Sequence, residues 1–174
     1  MWSSNAATAE CLVYTYKDGL LSAIAHDLQI RVTDWDMQID PDQSTITARF
    51  NASSLVVDGA MRDGQLASSV LSNKDREEIR NNIINDVLHS RKHGDIRFQS
   101  KKVTGEGERY EVEGDLTMHG TTKPIKTTVR LEDGHYVADV KLNQPDFGIK
   151  PFSAMMGTLK VKPQLRVVLK VPKP

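Results

Sequence analysis

Apolar side chains alternate with polar ones along most of this chain. Leu28, Ile30 and Val32 are separated by Gln29 and Arg31, and the same spacing returns in Trp35, Met37 and Ile39, then in Ile46, Ala48 and Phe50 toward Leu55 and Val57. In the second half it recurs as Ile125, Val129 and Leu131, then as Tyr136, Ala138, Val140 and Leu142. A strand sends successive side chains to opposite faces, so each run predicts a strand with one buried face. Carried back from Leu28, the parity places Ser22, Ile24 and His26 on the buried side of a strand that starts near Leu20. Cys11–Tyr16, Ile96–Thr104, Arg109–Met118 and Thr158–Val171 are β-prone as well. Lys17-Asp18-Gly19-Leu20 reads as a tight hairpin, and Gly105-Glu106-Gly107 and Asp133-Gly134 as two further turns.

One stretch follows a different period. Ile79, Ile83 and Val87, widened by Ile84 and Leu88, form a helical stripe. Ser72 is placed to cap it, acids occupy its first turn, and His89, Arg91, Lys92 and His93 load its end before Gly94, so the predicted helix runs over 73–92 with Gly94 as its left-handed cap. Residues 58–73 show no sustained period and are expected to be a long loop, and 1–9 a flexible N-terminal arm. Strands without crossover helices argue against a parallel α/β fold. The expected architecture is mainly β: one domain over 10–174, an extended eight-stranded antiparallel barrel with the helix near its mouth.

Composition narrows this little. The chain has 174 residues, 39% hydrophobic and 26% charged, which is ordinary globular usage. Its net charge of zero conceals an imbalance, with 7 Lys/Arg against 13 Asp/Glu in residues 1–87 and 16 against 10 in 88–174. Within one barrel these halves are expected to interleave and the charges to mix. No basic cluster with interleaved aromatics suggests a nucleic acid partner. The single Cys11 cannot form an internal disulfide. Without a signal-peptide pattern at residues 1–7 the chain reads as cytoplasmic, or as periplasmic if a leader has been removed.

Candidate chemistry is sparse. His89 and His93 lie four apart but lack the neighbouring Glu of a zinc-protease helix, so no metal is expected there and capping of the helix is the preferred reading. His119 falls off the parity of Leu116 and Met118, which points to a histidine that organises a turn. His26 faces inward, where with Ser22 it could bond the polar head of an apolar ligand or serve as a satisfied core residue. There is no nucleophile elbow and no phosphate loop, so no catalytic residue is assigned and no cofactor is required. What remains is an apolar interior. An eight-stranded barrel is about the size at which that interior is either filled by side chains or able to hold one small ligand.

In order, His26, Arg62-Asp63, the helix to Leu88, Phe98-Gln99-Ser100, Leu116-Thr-Met-His-Gly-Thr-Thr-Lys-Pro124 and Asp146-Phe147-Gly148-Ile149 resemble the signature of the YceI-like family of lipocalin-like, polyisoprenoid-binding proteins. Gly19-Leu20-Leu21-Ser22 departs from the His-Ser that usually opens the second strand of that family. The resemblance implies a lipocalin-like barrel whose pore takes a polyisoprenoid, isoprenoid quinone or fatty-acid-like chain, with lipid co-purifying. The expected lining is Ile24, His26, Leu28, Ile30, Phe98, Leu116, Met118, Phe147, Phe152, Met155 and Met156. The partner is then a hydrophobic small molecule, with peripheral membrane contact and a homodimer left open. Two alternatives stand beside the carrier: an enzyme acting on an apolar substrate with His26 as acid or base, and a filled barrel serving as an interaction module.

Overall fold

The computed structural model describes residues 1–19, 25–157 and 159–174, and the backbone alone of Met155. Its strands are β1 (Trp2–Asn5), β2 (Glu10–Thr15), β3 (Asp27–Val32), β4 (Trp35–Asp40), β5 (Thr45–Asn51), β6 (Leu55–Arg62), β7 (Gln65–Ala67), β8 (Asp95–Glu106), β9 (Arg109–Met118), β10 (Thr121–Glu132), β11 (His135–Asn143), β12 (Ser153–Ala154), β13 (Leu159–Lys160) and β14 (Gln164–Pro172). Among the described residues there is a single α-helix, α1 (Asn73–Asn82), between β7 and β8. Twelve of the strands form one sheet in the order β1-β4-β5-β8-β9-β10-β11-β14-β2-β3-β6-β7, and every pairing is antiparallel.

That order curls into a barrel because three pairs of successive strands are halves of one bent stave. β3 continues into β4 through Thr33-Asp34, and β5 into β6 through residues 52–54. The bend is bridged by the Thr33 N–H donating to the Ser54 carbonyl (3.1 Å) and the Asn51 N–H donating to the Asp34 carbonyl (2.9 Å). β1 and β2 are joined in the same way through residues 6–9. The sheet has twelve strands where eight were expected, because each of these three bent pairs counts as two, and β2 lies between β14 and β3. Bending lets one stretch of chain serve two directions of a tightly curved sheet.

One seam of the wall is split. β10 and β11 pair only from Val129 with Ala138 to Glu132 with His135, whereas β10 pairs with β9 from Thr121 to Arg130. Above Val129 the two strands diverge, and the short turn Gln144–Phe147 wedges between them. Phe147 and Ile149, 2% and 3% exposed, fill the gap together with Leu116, Met118, Ile125 and Leu142.

Several expectations change. The helix ends earlier than 92. After Asn82 it widens into a turn in which the Leu88 N–H reaches back five residues to the Ile83 carbonyl (2.9 Å). His89 (φ +48°), not Gly94, then takes the left-handed position that stops it. Its start is as expected, with Ser72 and Asp75 forming a reciprocal capping box. The long loop 58–73 is partly a hairpin: β6 runs on to Arg62, and Asp63 (φ +51°) and Gly64 (φ +74°) turn the chain into β7. The N-terminal arm is strand β1, paired with β4 and anchored by buried Ser4, whose hydroxyl bonds that of Thr8 (3.2 Å). Lys17–Gly19 is not the tight turn of the β2–β3 hairpin, because those strands pair with Thr15 opposite Leu28, and Leu20 lies outside the described residues. There the Lys17 N–H donates to Asp27 (2.8 Å) and the Asp18 N–H to the Lys160 carbonyl (2.8 Å). The last strand divides into β13 and β14 around Pro163. Finally, the two halves of the chain do not interleave. Residues 1–62 build one arc of the ring and 95–172 the other, so the acidic and basic halves of the sequence stay on separate sides.

Candidate functional site

Inside the barrel lies a cavity of about 710 Å³ that touches the inner faces of staves all around the ring. Its middle is aliphatic: Leu28, Ile30, Val32, Val112, Val129, Ala138, Val140, Leu165 and Val167 line it. The two arcs meet it differently. Leu28, Ile30, Val32, Met37, Leu55 and Val57 are buried and pack into one continuous cluster reaching under α1. Val129, Ala138, Val140 and Leu165 point inward too, yet each is only half-buried and belongs to neither packed cluster. An inward apolar side chain that keeps accessible surface faces space, and these four residues therefore border the empty volume.

The ends of the lumen are more polar. At the helix end it meets His26, Asn82, Gln144 and Lys160, and at the hairpin end Asp40, Ser44 and Thr45. Burial, with the charges of Arg62 and Lys17, holds the His26 imidazole below its ordinary range. Asp40 is fixed as the head of its turn, accepting from the Asp42 N–H (3.0 Å) and the Gln43 N–H (3.2 Å). Cys11 opens on the lumen wall, and burial pushes its thiol up to about 12, so it is an apolar lining group.

His26, Leu28, Ile30, Phe98, Leu116, Met118 and Phe152 all border the lumen. Phe98 is steered there by Gly114 on the neighbouring strand, where an added Cβ would stand 2.6 Å from the ring. Ile24, and Ser22 offered as a partner of His26, lie outside the described residues, as does the side chain of Met155. Phe147 does not line the lumen, because it is the wedge in the split wall. Met156 is fully exposed: its backbone turns left-handed (φ +57°), and a residue out of strand conformation loses the parity that would have aimed it inward. The lining missed by sequence reasoning includes Trp2, Tyr110 and Tyr136, together with the second-arc residues Val129, Ala138, Val140 and Leu165. The alternation shows that these second-arc residues face inward but not that they face space.

His119 and Gly120 (φ +54° and +74°) form the two-residue turn between β9 and β10, with Met118 opposite Thr121. The His119 Nδ1–H donates to the Phe147 carbonyl (3.3 Å), while its buried Nε2 has no protein partner. Its ring packs on those of His93 (centroids 4.6 Å apart) and His89 (5.5 Å). Burial, then the charges of His119, Lys92 and His89, hold the His93 ring below the usual imidazole range. Among the described residues no group of three or more His, Cys, Asp or Glu is arranged to hold a metal ion, and no helix is long and apolar enough to cross a membrane. His119 thus ties the 116–124 segment to the 146–149 segment, and both serve the wall.

Comparison with known proteins agrees with this geometry. A Pseudomonas putida UPF0312 protein is 33% identical over 136 residues, 72% of this chain and 62% of that one, and a Pectobacterium carotovorum UPF0312 protein is 28% identical over 92 residues, 53% and 40% of the two. This chain therefore spans less than two thirds of the length of those relatives. Among solved structures, Burkholderia cenocepacia BcnA superposes with a TM-score of 0.65 at 10% identity, covering 95% of this chain and 96% of that one. A Campylobacter jejuni YceI protein superposes at 0.55 and 15% identity, covering 83% and 84%. Residues 19–171 match the model of the YceI-like domain, and with that match over nearly the whole barrel the chain belongs to the YceI-like family.

Proposed function

We propose that this protein binds and carries a long-chain amphiphilic lipid, such as a polyisoprenoid, an isoprenoid quinone or a fatty-acid-like chain, inside the barrel. The observation that carries the reading is the unfilled lumen of about 710 Å³, which falls within the roughly 300–1,000 Å³ of small-molecule sites. Its aliphatic walls suit an alkyl or prenyl tail. Each methylene moved out of water contributes about 0.8 kcal/mol, so ten of them give roughly 8 kcal/mol before ordering costs are subtracted, without any special polar motif.

The polar groups at the lumen ends suit a head group that stays near water. No nucleophile or metal is needed for this task, since holding a chain away from water requires only shape and apolar surface.

Native mass spectrometry and solvent extraction of the purified protein test the reading. Protein carrying bound lipid is expected, and Ala138→Trp, which puts a large ring into the lumen, is expected to emerge empty with its fold intact by circular dichroism. Protein that carries no lipid and takes up neither a prenol nor a fatty acid on addition overturns it.

A further inference from the structure

The hairpin end of the lumen carries a feature that the aliphatic middle lacks. Trp2 on β1, Tyr136 on β11 and Tyr110 on β9 all line the cavity there. The Trp2 and Tyr136 rings stack with centroids 6.3 Å apart and planes 27° apart, and Tyr110 meets Tyr136 edge-on at 6.1 Å and 78°. These are separations at which aromatic rings attract one another, so the three form a connected row. The row is long. It runs from β9 past β10 to β11, and then past β14 to β1, so it reaches across several strands at this level.

Each ring is half-buried, with one side toward the lumen. Burial, then the nearby Tyr110, pushes the Tyr136 phenol up, in keeping with a ring set inward. Position on the fold explains why β1 belongs to the barrel at all. Trp2, opposite Ile39 at the hairpin end of β4, brings an aromatic surface to the lumen that stacks on Tyr136.

The charges of the two ends orient a guest. Lys160 and the polar groups His26, Asn82 and Gln144 stand at the helix end, and the Asp40 carboxylate at the hairpin end. A carboxylate or phosphate head is attracted to the first and repelled by the second. Resting on the lipid-binding reading, we infer that Trp2, Tyr110 and Tyr136 are the floor of the lumen: an anionic lipid enters tail-first from the helix end, and the aromatic row stops the tail and selects its length.

Trp2 is itself a reporter of this arrangement, since the only other tryptophan, Trp35, is fully buried and does not line the lumen. Stearic acid carrying a nitroxide (doxyl) group at carbon 5 or carbon 16 is bound to the wild-type protein, with binding verified by the immobilised nitroxide spectrum. The carbon-16 label is expected to quench tryptophan emission at least twofold more than the carbon-5 label, and Trp2→Phe to abolish that difference. Equal quenching, or stronger quenching by carbon 5, with both acids bound, overturns the inference and leaves the carrier reading standing. No immobilised signal from either acid overturns the inference and counts against the carrier reading as well.

A second arm uses saturated fatty acids of increasing length in competition with the carbon-16 probe. Tyr136→Leu is expected to raise the best-bound length by two carbons or more, while Tyr136→Phe, which keeps the ring, leaves it where it was. An unchanged optimum in a folded Tyr136→Leu protein overturns the length-selecting role.

Discussion

The two arcs of this barrel are built from the same alternation and do opposite things with it. In β3, β4 and β6 the inward side chains meet one another and the base of α1, and they pack. In β10, β11 and β14 inward side chains such as Val129, Val140 and Leu165 meet space. A strand's period tells a residue which side to face but says nothing of what stands opposite. The first arc has α1 and bent staves pressing its core together, while in the second the packing by Val87, Leu88 and Phe147 is confined to the helix end and leaves Val129, Val140 and Leu165 uncovered.

This contrast predicts unequal costs for similar truncations. Ile30, 2% exposed, belongs to the packed arc, and Ile30→Ala should cost about 2–5 kcal/mol in urea unfolding because the surroundings cannot collapse fully onto the missing atoms. At Gly120 an added Cβ would lie 2.9 Å from the His93 ring on a backbone at φ +74°, so Gly120→Ala should cost roughly 1–3 kcal/mol by the same assay. Val140→Ala merely enlarges a space that already exists, and about 1 kcal/mol or less is expected. Equal losses for Ile30→Ala and Val140→Ala would mean that the second arc is packed in solution.

A smaller effect concerns acidity. His26 and His93 are both held below the ordinary imidazole value of about 6.5, so the folded state favours their neutral forms. The sign follows: their contribution is complete above the unfolded pKa and is lost as pH falls toward and through the folded values. Urea midpoints should therefore drop between pH 7.5 and 5.5, and His93→Gln should flatten that dependence. A midpoint that rises on acidification would contradict the placement of these rings.

Much of this was readable from the residues. The limits of β9 follow from Arg109 to Met118, and Ser72 with Asp75 announces the start of the helix. The early helix end did not show, because His89 in a left-handed conformation is chosen by its packing on His119 and not by propensity. The β6–β7 hairpin was hidden by the shortness of β7, three residues being too few to display a period, although Asp63-Gly64 was the available sign. Phe147 and Met156 were misplaced for a common reason: both lie in irregular chain after Asn143, where parity carries no information. Whether the barrel is hollow was not legible at all, since a packed and an empty interior call for the same apolar letters.

The split between β10 and β11 has a consequence for exchange kinetics. Elsewhere, parting two staves means breaking a ladder of backbone hydrogen bonds together, an event on the scale of unfolding. Above Val129 the seam is filled by the Gln144–Phe147 turn, which His119 ties to the β9–β10 turn and Gln144 ties to the Pro163 and Lys162 carbonyls (2.9 and 3.1 Å), so it opens by displacement of that turn. That is loop motion, and loops move within nanoseconds to microseconds, far faster than a wall comes apart. Hydrogen exchange along this part of the seam then follows the motion of that turn, and not the stability of the barrel.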